Sequence, residues 1–383
     1  MPHIFISDVK YRMAIPAIRA FGKAGFHITA LEYDDTPAAA CLGFFSRYTA
    51  ATLRLPREEG AFCAGLLAAA ASQPEKPVLM AFGRYTLGIL SRHPELADFL
   101  HILTPSPEAL ETADNKNAVL ALGHQCGIPV PFTATAAVFE DLNLMAGVMP
   151  MPSVIKYQNG EALGLHAAQR YRIVKTHAEF RRAYDEMAQR QPNPLAQEYI
   201  SGDGFGVSLV LDRRSRLVDF LCHRRIREYP VSGGPSCCCE TIFSRPMLLM
   251  ALELLQGMAF TGVAMVEFKG SPEKPVLMEV NPRFWGSSPL IYAADATFYA
   301  SVAAAAMDKA APLNPETCEP TYRVGRKMRF FPQDLLSFAA YCKAKDRRAL
   351  GCLKDVFNPC IKDGLFSLTD PAPFFRYLFC SRS

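Results

Sequence analysis

Two short apolar segments in the last third of the chain constrain its fold most, because each one carries acidic residues near its end. One reads GVAMVEF and contains Glu267, and the other reads VLMEVNPRFWGS and contains Glu279 and Asn281. Each is bounded by glycine or proline, so we predict antiparallel strands over residues 263–268 and 276–280, joined by the turn KGSPEKP. The acidic side chains therefore belong to one hairpin.

Alternation along the two strands predicts that every oxygen ligand of this hairpin lies on one face. If Phe268 pairs with Val276, then Glu267 lies opposite Leu277 and diagonal to Glu279, roughly 7 Å away at the backbone. A shift of one residue in this pairing would separate the two carboxylates. The predicted faces are Val263, Met265, Glu267, Leu277, Glu279 and Asn281 on one side, and Ala264, Val266, Phe268, Val276, Met278 and Val280 on the other.

The acidic face of the hairpin predicts a metal site formed by Glu267, Glu279 and Asn281. Carboxylate and amide oxygens suit a hard cation, and so few protein ligands suit Mg²⁺, or Mn²⁺, with water and phosphate completing its shell. Arg283 follows Asn281 by two residues and would place guanidinium donors beside a metal-bound phosphate. The alternative is a solvated hairpin whose outer face is acidic without binding anything.

The first 105 residues have the pattern of a parallel α/β lobe. The strands HIFISDV and HITALEY flank a predicted helix from about Met13 to Ala24, and the strand PVLMAFG follows. No G-x-G-x-x-G follows the first strand, which argues against dinucleotide binding. Further along we predict a lid of strands with a helix over residues 177–190, a hairpin over 207–227, a helix from Ser288 to about Met307 and a mostly helical end.

Composition limits the class of protein. A chain of 383 residues, 50% hydrophobic, suggests two or three lobes, and its net charge of +4 predicts no nucleic-acid partner. Twelve cysteines without a signal peptide favour a reducing compartment, so we expect a cytoplasmic protein. The longest run without charged residues, 117–139, is broken by glycine and proline, so no membrane partner is predicted. The apolar tail over residues 371–380 leaves a homodimer open.

The string EVNPRFWGS, preceded by the VEF strand, resembles the metal-binding end of the ATP-grasp superfamily, and the order of upstream motifs extends the resemblance over residues 104–375. It implies α/β and α+β architecture: an ATP-grasp fold with an N-terminal Rossmann-like pre-ATP-grasp lobe, a small lid lobe and a C-terminal catalytic lobe. The expected divisions are 1–105 for the first lobe, 106–200 for the first ATP-grasp helix and lid, 201–325 for the catalytic lobe and 326–383 for a helical extension.

The resemblance also implies an ATP site. Its parts would be a lysine on the helix after residue 115, a lysine on the strand PSVIKY, a glycine-poor lid loop over residues 158–164 and the hinge AQEYISGDG. Lysines and glutamates at strand ends are often merely solvated, and that reading remains open for Lys156 and Glu198. The residues implied to bind ATP are Lys116, Lys156, Gln197, Glu198, Tyr199, Ile200 and Asp203.

A basic strand, HRRIREYP, follows the hinge. Alternation sends Arg225 and Arg227 to one face with His223, and Arg224 to the other. Such a face would hold a substrate carboxylate and the γ-phosphate as they meet, so Arg225, Arg227 and Arg283 are the predicted catalytic cations. A solvated basic strand is the alternative. The neighbouring run of cysteines, 237–239, lacks zinc-site spacing and is expected to pack as small apolar residues.

The resemblance implies a Mg-ATP-dependent ligase. A small-molecule carboxylate would be phosphorylated, and an amine would attack the acyl phosphate to give an amide or peptide-like bond, ADP and phosphate. Two alternatives stay open: an ATP-grasp enzyme with another acceptor, either bicarbonate or a thiol, and an ATP-binding protein that does not catalyse.

Overall fold

The computed structural model describes residues 3–134, 142–157, 163, 165, 169–231, 234–356, 358 and 360–380. Three β-sheets organise this part of the chain: a four-stranded parallel sheet at the N-terminal end, a four-stranded antiparallel sheet and a seven-stranded sheet. No helix among these residues is both long enough and apolar enough to cross a membrane.

The N-terminal lobe is a parallel sheet with strand order β3-β2-β1-β4, and its strands are short and largely buried. The predicted parallel α/β pattern is confirmed, although the first helix is two residues shorter at its N-terminal end than expected. Two further helices lead out of the lobe. The elements are β1 Ile4–Ile6, α1 Ile15–Lys23, β2 Ile28–Tyr33, β3 Ala51–Leu55, α2 Glu59–Ala71, β4 Val78–Met80, α3 Arg84–Arg92, α4 Pro107–Asp114 and α5 Lys116–Gln125.

A small antiparallel sheet with strand order β5-β8-β6-β7 follows, as the lid prediction requires. It has a core of its own, in which Phe180 and Tyr184 pack against Ile155. The small sheet is therefore an independently packed unit joined to the rest by the segments before β5 and after β8. The elements are β5 Thr133–Ala134, α6 Leu142–Val148, β6 Ser153–Lys156, β7 Tyr171–Val174, α7 His177–Ala188 and β8 Leu195–Glu198.

The large sheet has the strand order β13-β12-β9-β10-β11-β14-β15 and carries the predicted hairpins. Its apolar side chains share one core with α1 of the N-terminal lobe, so these two parts are packed together. The elements are β9 Asp203–Leu211, β10 Leu217–Glu228, β11 Ser236–Ile242, α8 Arg245–Gly257, β12 Gly262–Ser271, β13 Lys274–Asn281, α9 Pro289–Ala293, α10 Phe298–Ala306, β14 Lys327–Arg329, α11 Phe331–Lys343, α12 Arg348–Val356, β15 Lys362–Asp363 and α13 Ala372–Cys380.

Two predictions about the C-terminal half are corrected. The single helix expected from Ser288 to Met307 is two helices, α9 and α10, separated by a turn in which Asp295 has a φ of 55°. A residue in this left-handed region cannot continue an α-helix. The last segment is mostly helical, as predicted, but it also contains β14 and β15, two short strands of the large sheet that the prediction did not include. The C-terminal extension is thus built into the large sheet.

Candidate active site

The two carboxylates of the hairpin lie on the same face of the large sheet. In the pairing of β12 with β13, Glu267 lies directly opposite Glu279, and Asn281 lies opposite Met265 two positions along. Directly opposed side chains on one face have Cβ atoms about 4.5–5.5 Å apart. The pair and the amide of Asn281 therefore face the same space, as a shared ligand set requires.

The register that produces this arrangement differs from the predicted one. Phe268 pairs with Leu277, not with Val276, and a bulge between this pair and the Glu267–Glu279 pair leaves Met278 without a partner. Leu277 consequently shares the face of Phe268 and is fully buried, where its side chain reaches within 2.6 Å of an ideal Cβ placed on Gly123 of α5. The prediction that Leu277 lies beside the carboxylates is wrong. Because of the bulge, Glu267 lies directly opposite Glu279 instead of diagonal to it.

Cations from two other elements surround the carboxylates. Lys116, the first residue of α5, places its Nζ 2.9 Å from Glu279 Oε2, and Arg225 Nη2 donates to Glu267 Oε1 at 2.8 Å. Burial raises the pKa of Glu279, but the charges of Lys116, Lys156 and Arg225, with the hydrogen bond from Lys116, together outweigh it and hold that pKa at about 2. Burial and the charge of Glu279 raise the pKa of Glu267, against the opposing effect of Arg225. The two opposed carboxylates thus have different proton affinities.

Lys156 ends strand β6 of the small sheet, and its Nζ donates to Gln197 Oε1 at 2.8 Å. Burial and the nearby Lys116 lower the pKa of Lys156 to about 8, while Glu279 and Glu267 oppose the shift. The lysine therefore lies within electrostatic reach of the carboxylate pair, although it belongs to the other sheet. This arrangement brings Lys156 together with three other predicted site residues, Lys116, Glu267 and Glu279, across the crevice between the two sheets.

Two glycines of β9 leave room for side chains to cross between strands. Gly206 lies between Glu267 on β12 and His223 on β10, and an added Cβ there would meet His223 Cε1 at 2.2 Å. Gly204 lies below Arg225, whose side chain runs across β9 to reach Glu267 on the next strand but one. The GDGFG segment is therefore a sequence signal for this site, because alternate glycines empty one face of the strand.

The prediction that Arg227 shares a face with Arg225 is wrong. A bulge in β10 pairs Arg225 with Cys239 but Arg227 with Cys238, and these successive partners point to opposite faces. Arg227 is 3% exposed and donates to Asp334 at 2.6 and 2.9 Å and to Asp355 at 2.6 Å. Its guanidinium therefore holds α11 and α12 against the sheet, away from the carboxylate pair.

The predicted hinge is the connection between β8 and β9, which joins the two sheets. Glu198 is half-buried, and its Oε2 accepts from the backbone N–H of Phe132 at 3.2 Å. Asp203 is exposed and lies 3.4 Å from Arg224. Gly202 has a φ of 112° and approaches the backbone of Gly270, where an added Cβ would meet the carbonyl oxygen at 2.3 Å. Tyr199 and Ile200 are half-buried in this connection.

Arg283 lies in the loop after β13, where its Nη1 donates to Phe284 O at 3.0 Å. It lines a small cavity of about 30 Å³ between this loop and the N-terminal lobe, with Met80 and Val302 among the other lining residues. Phe284 stacks on Phe82 of the N-terminal lobe at 4.1 Å, and its burial agrees with the predicted packing role. The loop is thus anchored to the N-terminal lobe, and Arg283 lies between that lobe and the large sheet.

Two residues of the site were missed from the sequence. Lys269 lies on the Glu267 face, opposite Gly204, with its Nζ 4.9 Å from the ring centroid of Tyr199. Glu228 lies 3.6 Å from Arg225. Alternation from Glu267 could have identified Lys269, because residues two apart share a face. Glu228 had no such signal, because the bulge in β10 intervenes.

Some predictions fall on residues outside those that the structure describes. Most of the lid loop over 158–164 belongs to this group, and so do residues 232–233 of the loop after the basic strand.

The three consecutive cysteines are buried, as expected, and burial raises the pKa of Cys237 and of Cys239 to about 12. Those thiols are therefore protonated at neutral pH.

The donor set fits a hard divalent cation. Two opposed carboxylates and an amide oxygen share one face, and no third His, Cys, Asp or Glu joins them among the residues with described coordinates. A cation held there would take its remaining ligands from water and phosphate, which is the way Mg²⁺ is usually bound.

Comparison with solved structures identifies the fold. The chain is similar to a biotin carboxylase–β,γ-ATP complex from Campylobacter jejuni, with 13% identity and a TM-score of 0.63 over 85% of this chain and 74% of that one. It is also similar to an L-amino acid ligase from Bacillus licheniformis, with 16% identity, a TM-score of 0.57 and coverage of 85% and 78%. A third similar structure is a phosphoribosylglycinamide synthetase from Anaerococcus prevotii, with 11% identity and a TM-score of 0.59 over 85% of this chain and 79% of that one.

No protein-family model matches the sequence, and no curated protein is similar to it at the level of sequence. At these identities the likeness to solved structures establishes the fold, which is the ATP-grasp fold implied by the EVNPRFWGS motif and the order of the motifs upstream of it. The chemistry must be argued from the residues of the crevice themselves.

Proposed function

We propose that this chain with the ATP-grasp fold is a magnesium-dependent ligase that uses ATP to join a carboxylate to an amine. One observation carries the proposal: Glu267 and Glu279 oppose each other on one face, within reach of cations from three different elements. An enzyme that transfers a phosphoryl group needs such a mixture, because acidic residues bind the metal and basic residues neutralise the phosphates.

The nucleotide would occupy the crevice between the small sheet and the large sheet. Glu198 and the backbone at Tyr199 and Ile200 would contact adenine, with Gln197 beside them, and Asp203 would contact the ribose. Lys156 and Lys116 would contact phosphate oxygens. This assignment is supported by the nearness of both ammonium groups to the carboxylate pair. A phosphate is a better partner for these lysines than a neutral amide or a carboxylate that is needed by the metal.

Glu267, Glu279 and Asn281 would hold Mg²⁺ in this proposal, and Mn²⁺ would substitute for it. When bound there, the ion would supply positive charge that neutralises the charge developing on the phosphates. Lys116 and Arg225 compensate the same carboxylates in the structure, so metal binding would free both side chains to contact phosphate.

The chemistry has two steps. A substrate carboxylate oxygen attacks the γ-phosphorus of ATP, the bond to the β–γ bridging oxygen breaks, and ADP leaves. The amine then attacks the carbonyl carbon of the acyl phosphate, inorganic phosphate leaves and the nitrogen loses a proton. Arg225 and Arg283 are the cations that we assign to the transferring phosphoryl group and the substrate carboxylate, and preorganised donors of this kind lower the barrier electrostatically.

ADP release measured with pools of candidate acids and amines tests the proposal. Wild type should release ADP with at least one pool, Glu279→Ala should not, and Glu273→Gln should behave as wild type. Glu273 is a matched control because it is an exposed carboxylate in the turn of the same hairpin. If no pool elicits ADP from wild type while ATP still raises its thermal stability, the chain binds ATP without catalysis and the proposal fails.

Hydroxylamine trapping distinguishes the acceptors. An acyl phosphate gives a hydroxamate when hydroxylamine replaces the amine, so a hydroxamate that depends on the added acid supports the carboxylate–amine reaction. ADP release that depends on bicarbonate or on a thiol, and not on an amine, would replace the proposal with one of the two other acceptors.

A further inference from the structure

The excess positive charge of the chain lies on one short segment between and within the helices α11 and α12. The whole chain has 41 lysines and arginines and 37 acidic residues, a net charge of +4. Residues 343–354 alone contain five cations and one carboxylate, which is also a net charge of +4. The remainder of the chain is therefore balanced. All five cations of the segment are exposed: Lys343, Lys345, Arg347, Arg348 and Lys354.

The same hairpin of helices exposes leucines. On α12, Leu350 is 65% exposed and Leu353 is 47% exposed, and their spacing of three places them on one side of the helix. On α11, Leu335 is 50% exposed and Leu336 is 48% exposed. Exposed apolar side chains grouped among cations are unusual on a surface that only meets water.

The acidic residues of the two helices leave four of the five cations uncompensated. Asp346 is paired with Arg348 at 2.7 Å, so one of the five cations is already neutralised. Asp355 lies on the buried side of α12, where it accepts from Arg227 at 2.6 Å and from Lys327 at 3.2 Å. Because these buried pairs hold α12 against the large sheet, the basic and apolar surface is presented on a rigid support.

We infer that the hairpin of α11 and α12 docks onto the surface of an anionic lipid bilayer. Leu350 and Leu353 would enter the interfacial region, and the surrounding lysines and arginines would contact headgroup phosphates. Amphipathic helices with clustered cations bind anionic lipid through these two contributions together.

A lipid surface suits this hairpin better than the other polyanions. A nucleic acid would reward the cations but not the leucines, and single-stranded nucleic acid is usually bound through exposed aromatic side chains. The basic segment 343–354 contains no aromatic residue, and the neighbouring Tyr341 is buried. The exposed Phe331 lies at the opposite end of α11 from this segment. The expectation of no membrane partner came from the lack of a spanning segment, and docking of this kind needs none.

Cosedimentation with vesicles tests the inference, using the full chain without ATP so that the result does not depend on the proposed ligase activity. Wild type should bind vesicles of equimolar phosphatidylcholine and phosphatidylglycerol and not vesicles of phosphatidylcholine alone. The triple variant Lys343→Gln, Lys345→Gln, Lys354→Gln should weaken binding roughly a hundredfold, because each lysine near an anionic surface raises the affinity about fivefold. The double variant Leu350→Ser, Leu353→Ser should weaken it about tenfold or more.

Matched controls come from α6, from α7 and from the connection just before α7. Leu144 is 64% exposed, and Leu144→Ser should leave binding unchanged. Lys175, Arg181 and Arg182 are exposed, and their replacement by glutamine should also leave it nearly unchanged. Far-ultraviolet circular dichroism shows whether each variant is folded, and these surface substitutions are expected to preserve the fold.

Several outcomes would overturn the inference. One is no binding to the mixed vesicles, and another is equal binding by wild type and the leucine variant, which would mean a purely electrostatic surface. Displacement by millimolar inorganic phosphate would indicate a small-anion site. Light scattering that shows a dimer in wild type and a monomer in the leucine variant would assign the surface to a second copy. Tight binding to single-stranded RNA that is indifferent to the leucines would assign it to nucleic acid.

Discussion

Replacing Arg227 with methionine is expected to destabilise the protein without removing a group from the candidate active site. Arg227 is 3% exposed and makes three charged hydrogen bonds, two to Asp334 and one to Asp355. Removing one partner of a buried ion pair costs roughly 3–5 kcal/mol, because the charge left behind stays desolvated. Asp355 keeps Lys327 at 3.2 Å, so the loss falls mainly on Asp334, and we expect about 4 kcal/mol.

Unfolding in guanidinium chloride measures this loss as a change in the free energy of unfolding. The double variant Arg227→Met, Asp334→Leu removes the stranded charge as well, so it should recover more than half of the stability that the single variant loses. If Arg227→Met unfolds at the same denaturant concentration as wild type but loses ATP turnover, then the guanidinium serves the chemistry and our structural assignment is refuted.

Three further predictions address other parts of the molecule. Because burial lowers the pKa of Lys156 to about 8, its positive charge is lost as the pH rises through that value, so the KM for ATP should rise there in wild type and stay flat in Lys156→Arg. Gly206→Ala places a Cβ 2.2 Å from the ring of His223 and should cost roughly 1–3 kcal/mol in denaturant unfolding; an unchanged midpoint would contradict the close packing. Asp370→Ala strands the buried Arg19, 2.9 Å away, and should cost roughly 3–5 kcal/mol, with faster proteolysis of the C-terminal segment as a second readout.

The sequence was sufficient for the elements whose signal is local. Strands β12 and β13 followed from short apolar runs, and the carboxylates lie on one face as the alternation predicted. Lys156 likewise ends its predicted strand. These features depend on neighbours within a few residues, which a single sequence displays directly.

The errors arose where distant residues decide the local geometry. Leu277 packs against Gly123 of α5, and the bulge beside it places the two glutamates directly opposite each other. Arg227 turns away from Arg225 toward Asp334, which lies 107 positions further along the chain. A regular alternation cannot include such bulges, because their cause lies in a contact that the strand's own residues do not reveal.

The central claim is that Glu267 and Glu279 together hold the divalent ion that accompanies ATP. Electron paramagnetic resonance of Mn²⁺ titrated with the protein and ATP counts the bound ion directly, without any knowledge of the acid or the amine. We predict that Glu267→Gln and Glu279→Gln each weaken Mn²⁺ uptake into the ternary complex about tenfold or more, whereas the hairpin-turn control Glu273→Gln binds as wild type. Uptake that is unchanged in both variants would contradict the claim.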